Sequence, residues 1–385
     1  MTKEIHFIDN RYPSIPDLRN KAKTKIPKFA FEYLDGGCND DINLKRNTDR
    51  IRDVELKPKY LVPFQKPNLK STLFGHTYDA PFGIAPIGLQ GLIWPKAPEI
   101  LAQAAFNHNI PFILSTVSTA SIETIAEITE GKYWFQLYHP AEDIVTKDLL
   151  KRAEFSGCKV LVILADVPSF GYRPRDIRNG LAMPPNLSLK NIIQILKRPD
   201  WALKTLFNGQ PNFEVLKPYM PKGLNLKQLG EFMDSTFSGR LNEEKIKKLR
   251  DIWKGKLVLK GAESLDDFEK AYQLGIDGVI ISNHGGRQVD VGQATIDSLH
   301  TIAPKYKNKI KIMMDSGIRG GADVARVLAH NADFTFMGRS FMYGVSALGK
   351  NGGTHTISII KKQLTQIMEQ LGCSNIKDFI HARIS

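Results

Sequence analysis

Eight short, nearly continuously apolar segments recur along this chain, and most are separated by segments of helical periodicity such as PEILAQAAFNHN (98–109) and SLDDFEKAYQLG (264–275). Apolar runs of this length are typical of parallel strands that are buried on both faces. Eight strands alternating with helices predict an α/β protein built as a single (β/α)8 TIM barrel, with an open doubly wound sheet as the alternative. The eight runs are FGIAPI (82–87), IPFILST (110–116), YWFQLY (133–138), VLVILAD (160–166), LVLKG (257–261), GVIISNH (278–284), KIMMDSG (311–317) and FTFMGR (334–339).

Polar side chains stand at the carboxyl end of most of these runs. In a barrel the carboxyl ends of all strands converge on one mouth, where catalysis is located in this architecture. The sequence therefore predicts one polar site that is assembled from several strands. Its first candidates are Gln136, Tyr138, Asp166, Lys260, His284, Asp315 and Arg339.

Two regions of the 385-residue chain fall outside the repeat. Residues 1–81 form an N-terminal extension that is predicted to be helical around IPKFAFEYLDGG (26–37). Residues 167–240 separate the fourth strand from its helix, and an insertion of this length is usually functional. We expect a cap over the barrel mouth, or else a membrane-surface or partner-docking element, because apolar groups alternate with basic residues there. The basic residues between 181 and 230 are Lys190, Lys197, Arg198, Lys204, Lys217, Lys222 and Lys227, against the acids Asp200 and Glu214.

The composition is that of a soluble globular protein, with 42% hydrophobic and 24% charged residues. No apolar run reaches the length of a membrane span and the N-terminus has no secretory pattern, so we expect a cytoplasmic protein. Three scattered cysteines, Cys38, Cys158 and Cys373, indicate neither a disulfide framework nor a zinc site. A net charge of +13 suits anionic partners, but the chain has no block of basic residues and no nucleic-acid motif. We therefore expect no nucleic-acid partner.

Glycine-rich segments follow the last two predicted strands. DSGIRGG (315–321) follows the seventh strand and MGRS (337–340) follows the eighth. In (β/α)8 barrels these two loops often bind phosphate through backbone N–H groups and a helix N-terminus. Arg319 and Arg339 add positive charge and forked hydrogen-bond donors. Together the two segments predict a cofactor or substrate that carries a phosphate group.

The sixth run ends in ISNHGGRQVD (281–290), which contains the only histidine at the carboxyl end of a predicted strand, His284. An imidazole titrates near neutral pH and is suited to remove a proton from carbon or from a hydroxyl group. We expect Asp166 to orient the ring and Arg287 to bind a substrate carboxylate. Lys260, at the end of another buried run, would either form a Schiff base or stabilise an anion on a ring cofactor.

SNHGGRQ (282–288) resembles the signature of the FMN-dependent α-hydroxy-acid oxidases and dehydrogenases. Within that family, YLDGG, LSTVS and WFQLY are most similar to the bacterial respiratory L-lactate dehydrogenases. The resemblance implies bound FMN and the oxidation of an L-2-hydroxy acid, such as lactate, to the 2-oxo acid. It covers nearly the whole chain through IPKFAFEYLDGG, IAPIGLQG, LSTVS, WFQLY, ADVPSFGYRPRD, LVLKG, DSGIRGG and MGRS.

Residue roles follow from this resemblance position by position. His284 would be the catalytic base with Asp166 as its partner, and Lys260 would stabilise negative charge at N1–C2=O of the reduced flavin ring. The substrate-binding residues would be Tyr33, Tyr138, Arg173 and Arg287. The other cofactor-binding residues would be Pro86, Ile87, Gly88, Ser115, Gln136, Ser282, Asp315, Ser316, Gly317, Ile318, Arg319, Gly338 and Arg339.

Three positions depart from the family pattern. Leu164 replaces a threonine that is common in relatives, which removes one expected hydrogen bond to the flavin. Val117 replaces the tryptophan of glycolate oxidases and argues against a glycolate-oxidase pocket, while Gly88 replaces an alanine that is common in oxidases. We therefore favour a dehydrogenase that passes electrons to a quinone or cytochrome. The alternative is an oxidase that uses O2, produces H2O2 and acts on a larger 2-hydroxy acid.

The resemblance also implies partners for the chain. We expect a homo-oligomer, a tetramer by analogy with the family, that feeds the respiratory chain and contains no haem domain. The basic insertion suggests peripheral contact with the cytoplasmic face of the inner membrane. Two other classes remain open: an FMN isomerase or amine-type oxidoreductase, and a flavin-binding partner protein with a decayed site.

Overall fold

Eight parallel strands form the central sheet in the computed structural model, which describes residues 10–181, 188–221 and 240–384 and the single positions 223, 228, 232 and 236. Two further strands, β1 (Ser71–Leu73) and β2 (His76–Tyr78), form an antiparallel hairpin ahead of this sheet. The strands of the sheet are β3 (Phe82–Ile84), β4 (Ile113–Ser115), β5 (Trp134–Leu137), β6 (Val160–Leu164), β7 (Lys256–Lys260), β8 (Gly278–Ile281), β9 (Lys311–Met314) and β10 (Phe334–Met337).

The sheet closes into a barrel. Its hydrogen-bonded neighbours follow the order β3-β10-β9-β8-β7-β6-β5-β4, and every pair is parallel. The gap between β3 and β4 is bridged by a parallel pairing of Ile84 with Phe112, and the Ile84 N–H donates to the Pro111 carbonyl at 2.9 Å. The predicted (β/α)8 barrel is therefore confirmed, and the open doubly wound alternative is wrong.

Helices surround the barrel, and several begin at a side-chain cap. Ser121 and Ser264, for example, accept hydrogen bonds from the N–H groups of Thr124 and Asp267 at 3.1 Å each. Ahead of the barrel, the described helices are Ile15–Lys25, Lys28–Asp35 and Ile42–Arg52. Those of the insertion are Pro174–Arg178, Leu189–Leu196 and Pro199–Asn208, with a 3-10 turn at Lys217–Tyr219. The remaining helices are Gln90–Ile93, Ala97–Asn107, Ile122–Thr129, Asp143–Phe155, Glu243–Ile252, Leu265–Gln273, Thr295–Tyr306, Gly321–Ala329, Arg339–Leu348 and Gly352–Leu371, with 3-10 turns at Gly349–Asn351 and Ile376–His381.

The β1–β2 hairpin closes the bottom of the barrel. Phe74, in its turn, has its ring centroid 5.7 Å from that of Trp134, and Tyr78 stands 5.6 Å from Phe334. The Trp134 indole also donates to the Tyr78 hydroxyl at 3.2 Å. Since Trp134 and Phe334 are the first residues of β5 and β10, these contacts fill the amino-terminal end of the barrel. A cavity inside the barrel must therefore open at the carboxyl ends of the strands.

The N-terminal extension is fastened to the mouth by helix Lys28–Asp35. At the end of this helix Asp35 accepts hydrogen bonds from Arg19 and from the Tyr343 hydroxyl, both at 2.7 Å. Burial would raise the pKa of Asp35, but these two hydrogen bonds hold its pKa below the usual value. The anchored helix carries Tyr33 to the rim of the barrel mouth.

The described part of the insertion packs on the N-terminal extension and on the loop after β3. Trp201 is buried, its indole donates to the Ile93 carbonyl at 2.9 Å, and its ring meets Phe29 edge-on. Arg198 donates to the Ile26 carbonyl at 3.2 Å. These contacts hold helix Pro199–Asn208 beside the barrel mouth. Lys222 and Lys227 of the predicted basic cluster lie outside the described residues.

Candidate active site

A cavity of about 470 Å³ occupies the mouth of the barrel. Its walls come from the carboxyl ends of the strands, from the N-terminal extension and from the insertion. Most residues that the sequence assigns to substrate and cofactor line this one cavity. They are Tyr33, Pro86, Ile87, Gly88, Tyr138, Arg173, Lys260, His284, Arg287, Asp315, Ser316, Gly317, Ile318, Arg319, Gly338 and Arg339.

Four of the predicted site residues lie behind the cavity wall instead. Asp166 and Ser282 contact lining residues, as described below. Ser115 and Gln136 are buried and paired in register between β4 and β5, and the Ser115 hydroxyl accepts a hydrogen bond from the Val117 N–H at 3.3 Å. A direct contact of Ser115 or Gln136 with a cofactor stays a prediction.

His284 and Asp166 form a hydrogen-bonded pair. Nδ1 of His284 lies 3.2 and 3.3 Å from the two carboxylate oxygens of Asp166, which leaves Nε2 to act on a bound molecule. The backbone at His284 is left-handed, with φ 58°, and its N–H donates to the Ser282 hydroxyl at 3.1 Å. Burial lowers the pKa of His284, and the Asp166 carboxylate opposes this effect. The ring is therefore neutral at neutral pH, as a general base requires, and Asp166 would stabilise a proton gained at Nε2.

Lys260 is a buried cation at the end of β7. Its ammonium nitrogen donates to the Ser282 hydroxyl at 2.7 Å, and lies 3.3 Å from Asp315 and 3.9 Å from Asp166. Burial would lower the pKa of Lys260, but these two carboxylates raise it above the ordinary value. A lysine that stays protonated is a poor Schiff-base nucleophile. Of the two roles open from the sequence, the structure therefore favours stabilisation of an anion.

Arg173 of the insertion and Arg287 after β8 converge on the cavity. Arg287 donates to the Tyr33 carbonyl at 2.6 Å, and its guanidinium carbon lies 4.9 Å from the centroid of the Tyr33 ring. Asp176 is the carboxylate partner of both arginines, at 3.6 Å from Arg287 and 3.9 Å from Arg173. Burial and the charge of Arg287 lower the pKa of Arg173 to about 10. Two cations that share one carboxylate retain the capacity to bind an anion such as a substrate carboxylate.

Arg319 and Arg339 stand on the cavity wall after β9 and β10. Arg339 begins helix Arg339–Leu348 and donates to the backbone carbonyls of Leu34, Gly36 and Gly285. Within the described residues, neither Arg319 nor Arg339 is paired with a carboxylate. Burial, followed by the charge of Arg319, lowers the pKa of Arg339 to about 9, as expected for a buried cation that lacks a counter-ion. Two such cations beside a helix N-terminus fit the phosphate group of FMN.

One wall of the cavity is apolar. A Cβ atom built on Gly88 would lie 2.7 Å from Cγ2 of Val117, so these residues are in close contact. Val117 is buried in a cluster with Phe213 and Leu216 of the insertion, and Leu89 packs against this cluster. Leu89, Val117 and Phe213 all line the cavity, and we call them the apolar wall. A hydrocarbon side chain of a bound molecule would be stabilised there.

Gln288 and Asp176 are site residues that were not predicted. Gln288 accepts a hydrogen bond from Arg173 at 3.0 Å and donates to the carbonyls of Asp166 at 3.1 Å and Ser169 at 3.0 Å. It therefore joins the insertion to the loop that holds His284. Both had a signal in the sequence. Gln288 ends the SNHGGRQ motif, and Asp176 stands three residues after Arg173 in a segment that forms a helical turn.

The expectation that His284 is the only histidine at the carboxyl end of a strand is wrong. His139 lies two residues beyond the end of β5, whereas His284 lies three residues beyond the end of β8. His139 does not line the cavity, and its Nε2 is buried with no hydrogen-bond partner in the described part of the chain. Burial lowers the pKa of His139 to about 4. It is therefore a neutral residue behind the wall.

Known proteins match this chain over most of its length. A sequence model of the FMN-dependent dehydrogenase family matches residues 22–385. The L-lactate dehydrogenase of Vibrio parahaemolyticus is 36% identical over 363 residues, which are 94% of this chain and 96% of that protein. The L-lactate dehydrogenase of Pectobacterium atrosepticum is 34% identical, and the match covers 94% of each chain.

Solved structures match the fold closely. An (S)-mandelate dehydrogenase described as a monotopic membrane protein superimposes with a TM-score of 0.92 at 32% identity. The match covers 98% of this chain and 100% of that one. A mandelate oxidase superimposes with a TM-score of 0.82 at 27% identity, over 96% of this chain and 97% of that one. The region matched by the family model includes every residue assigned to the site.

Proposed function

The chain belongs to the FMN-dependent dehydrogenases and oxidises a 2-hydroxy acid, and on that premise we propose the roles of its residues, its substrate and its electron acceptor. The observation that carries the proposal is the single cavity that contains a neutral histidine, a charged lysine and two pairs of arginines. FMN, when bound, accepts the two electrons that are removed from the substrate. Arg319, Arg339 and the N-terminus of helix Arg339–Leu348 would hold its phosphate, and Lys260 would face negative charge on its ring.

Arg173 and Arg287 bind the substrate carboxylate in this proposal, in exchange for part of their contact with Asp176. The bound carboxylate fixes the hydroxyl-bearing carbon near His284, whose Nε2 takes up the proton. Asp166 stabilises the imidazolium that results, since its carboxylate already contacts Nδ1. Burial raises the pKa of Tyr138, so its hydroxyl stays protonated and can donate a hydrogen bond to a substrate oxygen.

Anaerobic absorbance of the bound flavin tests the role of His284. We expect His284→Gln to retain FMN but to show no bleaching when a 2-hydroxy acid is added, because glutamine cannot take up the proton. His139→Gln is the matched control, since it changes the other histidine near the mouth without touching the cavity. Normal bleaching in the His284→Gln protein would contradict the role, and loss of bleaching in His139→Gln would show that the comparison is not specific.

Lactate is the first candidate substrate, because the sequence relatives named above are L-lactate dehydrogenases. The apolar wall favours a second candidate, an L-2-hydroxy acid with a larger hydrocarbon side chain, since a methyl group would leave most of that wall in contact with water. Rates of anaerobic flavin reduction by lactate, 2-hydroxybutyrate, 2-hydroxyhexanoate and mandelate separate the two. If the rate of flavin reduction rises with the size of the substrate side chain, and Phe213→Ala removes this dependence, the second candidate is supported. If the rate is highest with lactate, the first candidate is supported.

A surface of the insertion supports membrane contact. Leu189, Leu196, Leu206 and Phe207 are between 73% and 83% exposed on helices Leu189–Leu196 and Pro199–Asn208, and we call them the exposed apolar face. Lys190, Lys197 and Lys204 lie on or beside the same helices. Apolar residues flanked by lysines are typical of helices that lie on an anionic membrane surface. Among the described residues, no helix has both the length and the apolar character that crossing a bilayer requires.

We therefore propose that the protein associates peripherally with the cytoplasmic face of the membrane, where a quinone would be the electron acceptor. Flotation with vesicles that contain phosphatidylglycerol is the test. The wild type should float with the vesicles, and Leu206→Glu combined with Phe207→Glu should not. Phe155→Glu is the matched control, because Phe155 is 81% exposed on a helix outside the insertion. Flotation that is unchanged in the double variant would contradict the proposal.

The acceptor itself is tested by mixing the reduced protein with a soluble quinone or with O2. Faster reoxidation by the quinone supports the dehydrogenase, and faster reoxidation by O2 supports the oxidase alternative. The homotetramer that the family resemblance implies also stays a proposal, which light scattering of the purified protein would test.

A further inference from the structure

Glu263 is an acid near the active site that the proposed roles leave unused. It follows Lys260 by three residues, after a left-handed turn at Gly261 with φ 94°, and precedes the N-cap residue Ser264. It does not line the cavity. Its Oε1 is buried and, within the described ranges, has no hydrogen-bond partner. Because an unpartnered oxygen is much costlier to bury on a carboxylate than on a neutral acid, this environment favours the protonated form.

Two carboxylates contact the ammonium group of Lys260, and a third carboxyl group, that of Glu263, interacts with it electrostatically. Asp315 and Asp166 lie 3.3 Å and 3.9 Å from that ammonium, so its charge is already shared between two carboxylates. Glu263 interacts electrostatically with all three of these groups. Burial, then Asp166 and Asp315, raise the pKa of Glu263 to about 8, against the weaker opposing effects of its other neighbours. The geometry and the charge count agree that the third carboxyl group is neutral at neutral pH.

The other groups that bear on Glu263 come from the neighbouring elements. Asn283, after β8, is a polar neighbour of Glu263, and together with the charge of Lys260 it favours the ionised form. His284 also follows β8, but its ring is paired with Asp166 rather than with Glu263. Asp266 and Asp267, in the first turn of helix Leu265–Gln273, are exposed. Lys260 is the cation among the groups that most affect the pKa of Glu263.

We propose that Glu263 is a positioning residue whose protonation state controls how strongly Lys260 stabilises negative charge at the cofactor. The inference rests on the proposed place of Lys260 beside the FMN ring. While Glu263 is protonated, the ammonium is opposed by two carboxylates only. When Glu263 loses its proton, a third negative charge is added beside the same ammonium, and negative charge on the cofactor is less well stabilised. The cofactor then accepts electrons less readily as the pH rises.

The midpoint potential of the bound FMN, measured against pH with a chemical reductant and a reference dye, tests this inference. We expect the wild-type potential to fall more steeply above about pH 8 than that of Glu263→Gln, which keeps the shape of the neutral acid and cannot ionise. Asp266→Asn is the matched control, because it removes an exposed negative charge three residues away; its potential should follow the wild type. Curves for wild type and Glu263→Gln that are parallel over the whole pH range would overturn the inference.

A second measurement keeps the inference testable where Glu263→Gln does not fold. Infrared difference spectra of the wild type should show a protonated carboxylic acid that disappears as the pH is raised through about 8, and its absence would overturn the inference as well. Neither measurement uses a 2-hydroxy acid, so failure of the proposed substrate chemistry is recorded separately as the absence of flavin bleaching on addition of substrate.

Discussion

The carboxylate of Asp166 is the part of the site whose removal gives the sharpest test of the proposed mechanism. Asp166→Asn keeps the size of the side chain but removes the charge that lies 3.2 Å from His284 Nδ1. The same carboxylate lies 3.9 Å from the Lys260 ammonium. In the variant that negative charge is lost, so the positive charge of Lys260 disfavours a protonated His284 more strongly. Burial would raise the pKa of Asp166, but Lys260 and His284 hold its pKa below the usual value, so the group that is lost is a charged one at neutral pH.

The distance between His284 Nδ1 and the Asp166 carboxylate sets the size of the expected effect. At 3.2 Å, with an effective dielectric constant of about 20, the attraction between imidazolium and carboxylate is about 5 kcal/mol. A transition state in which His284 has gained about half of the proton would lose about half of this stabilisation. Each 1.4 kcal/mol corresponds to about a factor of ten in rate. We therefore expect flavin reduction in Asp166→Asn to be about 10²-fold slower.

Stopped-flow absorbance under anaerobic conditions measures this rate at saturating substrate. FMN content and thermal unfolding of the variant establish that the cofactor is bound and that the fold is intact. Because the arginines that bind the substrate carboxylate are unchanged, the substrate concentration at half-maximal rate should shift far less than the rate itself. A variant that binds FMN and reduces it within about threefold of the wild-type rate would refute the role of Asp166.

Three further changes probe other parts of the cavity. Gly88→Ala should lower the free energy of unfolding by about 1–3 kcal/mol in denaturant titrations, since its Cβ would lie 2.7 Å from Val117, and Val117→Ala in the same protein should restore it. Arg287→Lys should raise KM about 10- to 100-fold in steady-state assays with a smaller change in kcat, because lysine lacks the forked donors that bind a carboxylate. The stabilisation that comes from the raised pKa of Glu263 is complete below about pH 4.5 and is lost as the pH rises to about 8. In denaturant titrations across this window, the free energy of unfolding of Glu263→Gln should therefore rise relative to that of the wild type by at most about 5 kcal/mol. A difference in free energy of unfolding between the wild type and Glu263→Gln that does not change with pH would contradict this last expectation.

The placement of the main site residues could be predicted from the sequence because of the barrel topology. Asp166 and His284 are 118 positions apart in the chain, yet their side chains meet. Each ends an apolar run, and the carboxyl ends of the strands converge in a (β/α)8 barrel, so a local pattern is enough to bring them together. The same reasoning placed Lys260 and the loops after β9 and β10.

Other features could not be predicted because they depend on burial or on very short segments. The strands β1 and β2 have three residues each, which is too short for an alternating pattern to identify them. His139 directly follows the predicted run YWFQLY (133–138), but its burial, which distinguishes it from a surface loop residue, depends on tertiary packing. Glu263 stands just ahead of a helix cap, where the sequence resembles an ordinary surface position. Its raised pKa comes from burial and from Asp166 and Asp315, which other parts of the chain contribute.

The charges of the site fall into two groups that suit two different steps. Cations with little or no carboxylate contact, such as Arg287 and Arg339, line the cavity itself, so a bound phosphate or carboxylate would supply the missing counter-charge. Two carboxylates, Asp166 and Asp315, instead lie around Lys260, where they keep the lysine charged, and Asp166 would also stabilise a proton on His284. Anion binding and proton uptake are thus assigned to separate sets of residues. A substitution in one set should therefore change binding with little effect on proton transfer, and the reverse should hold for the other.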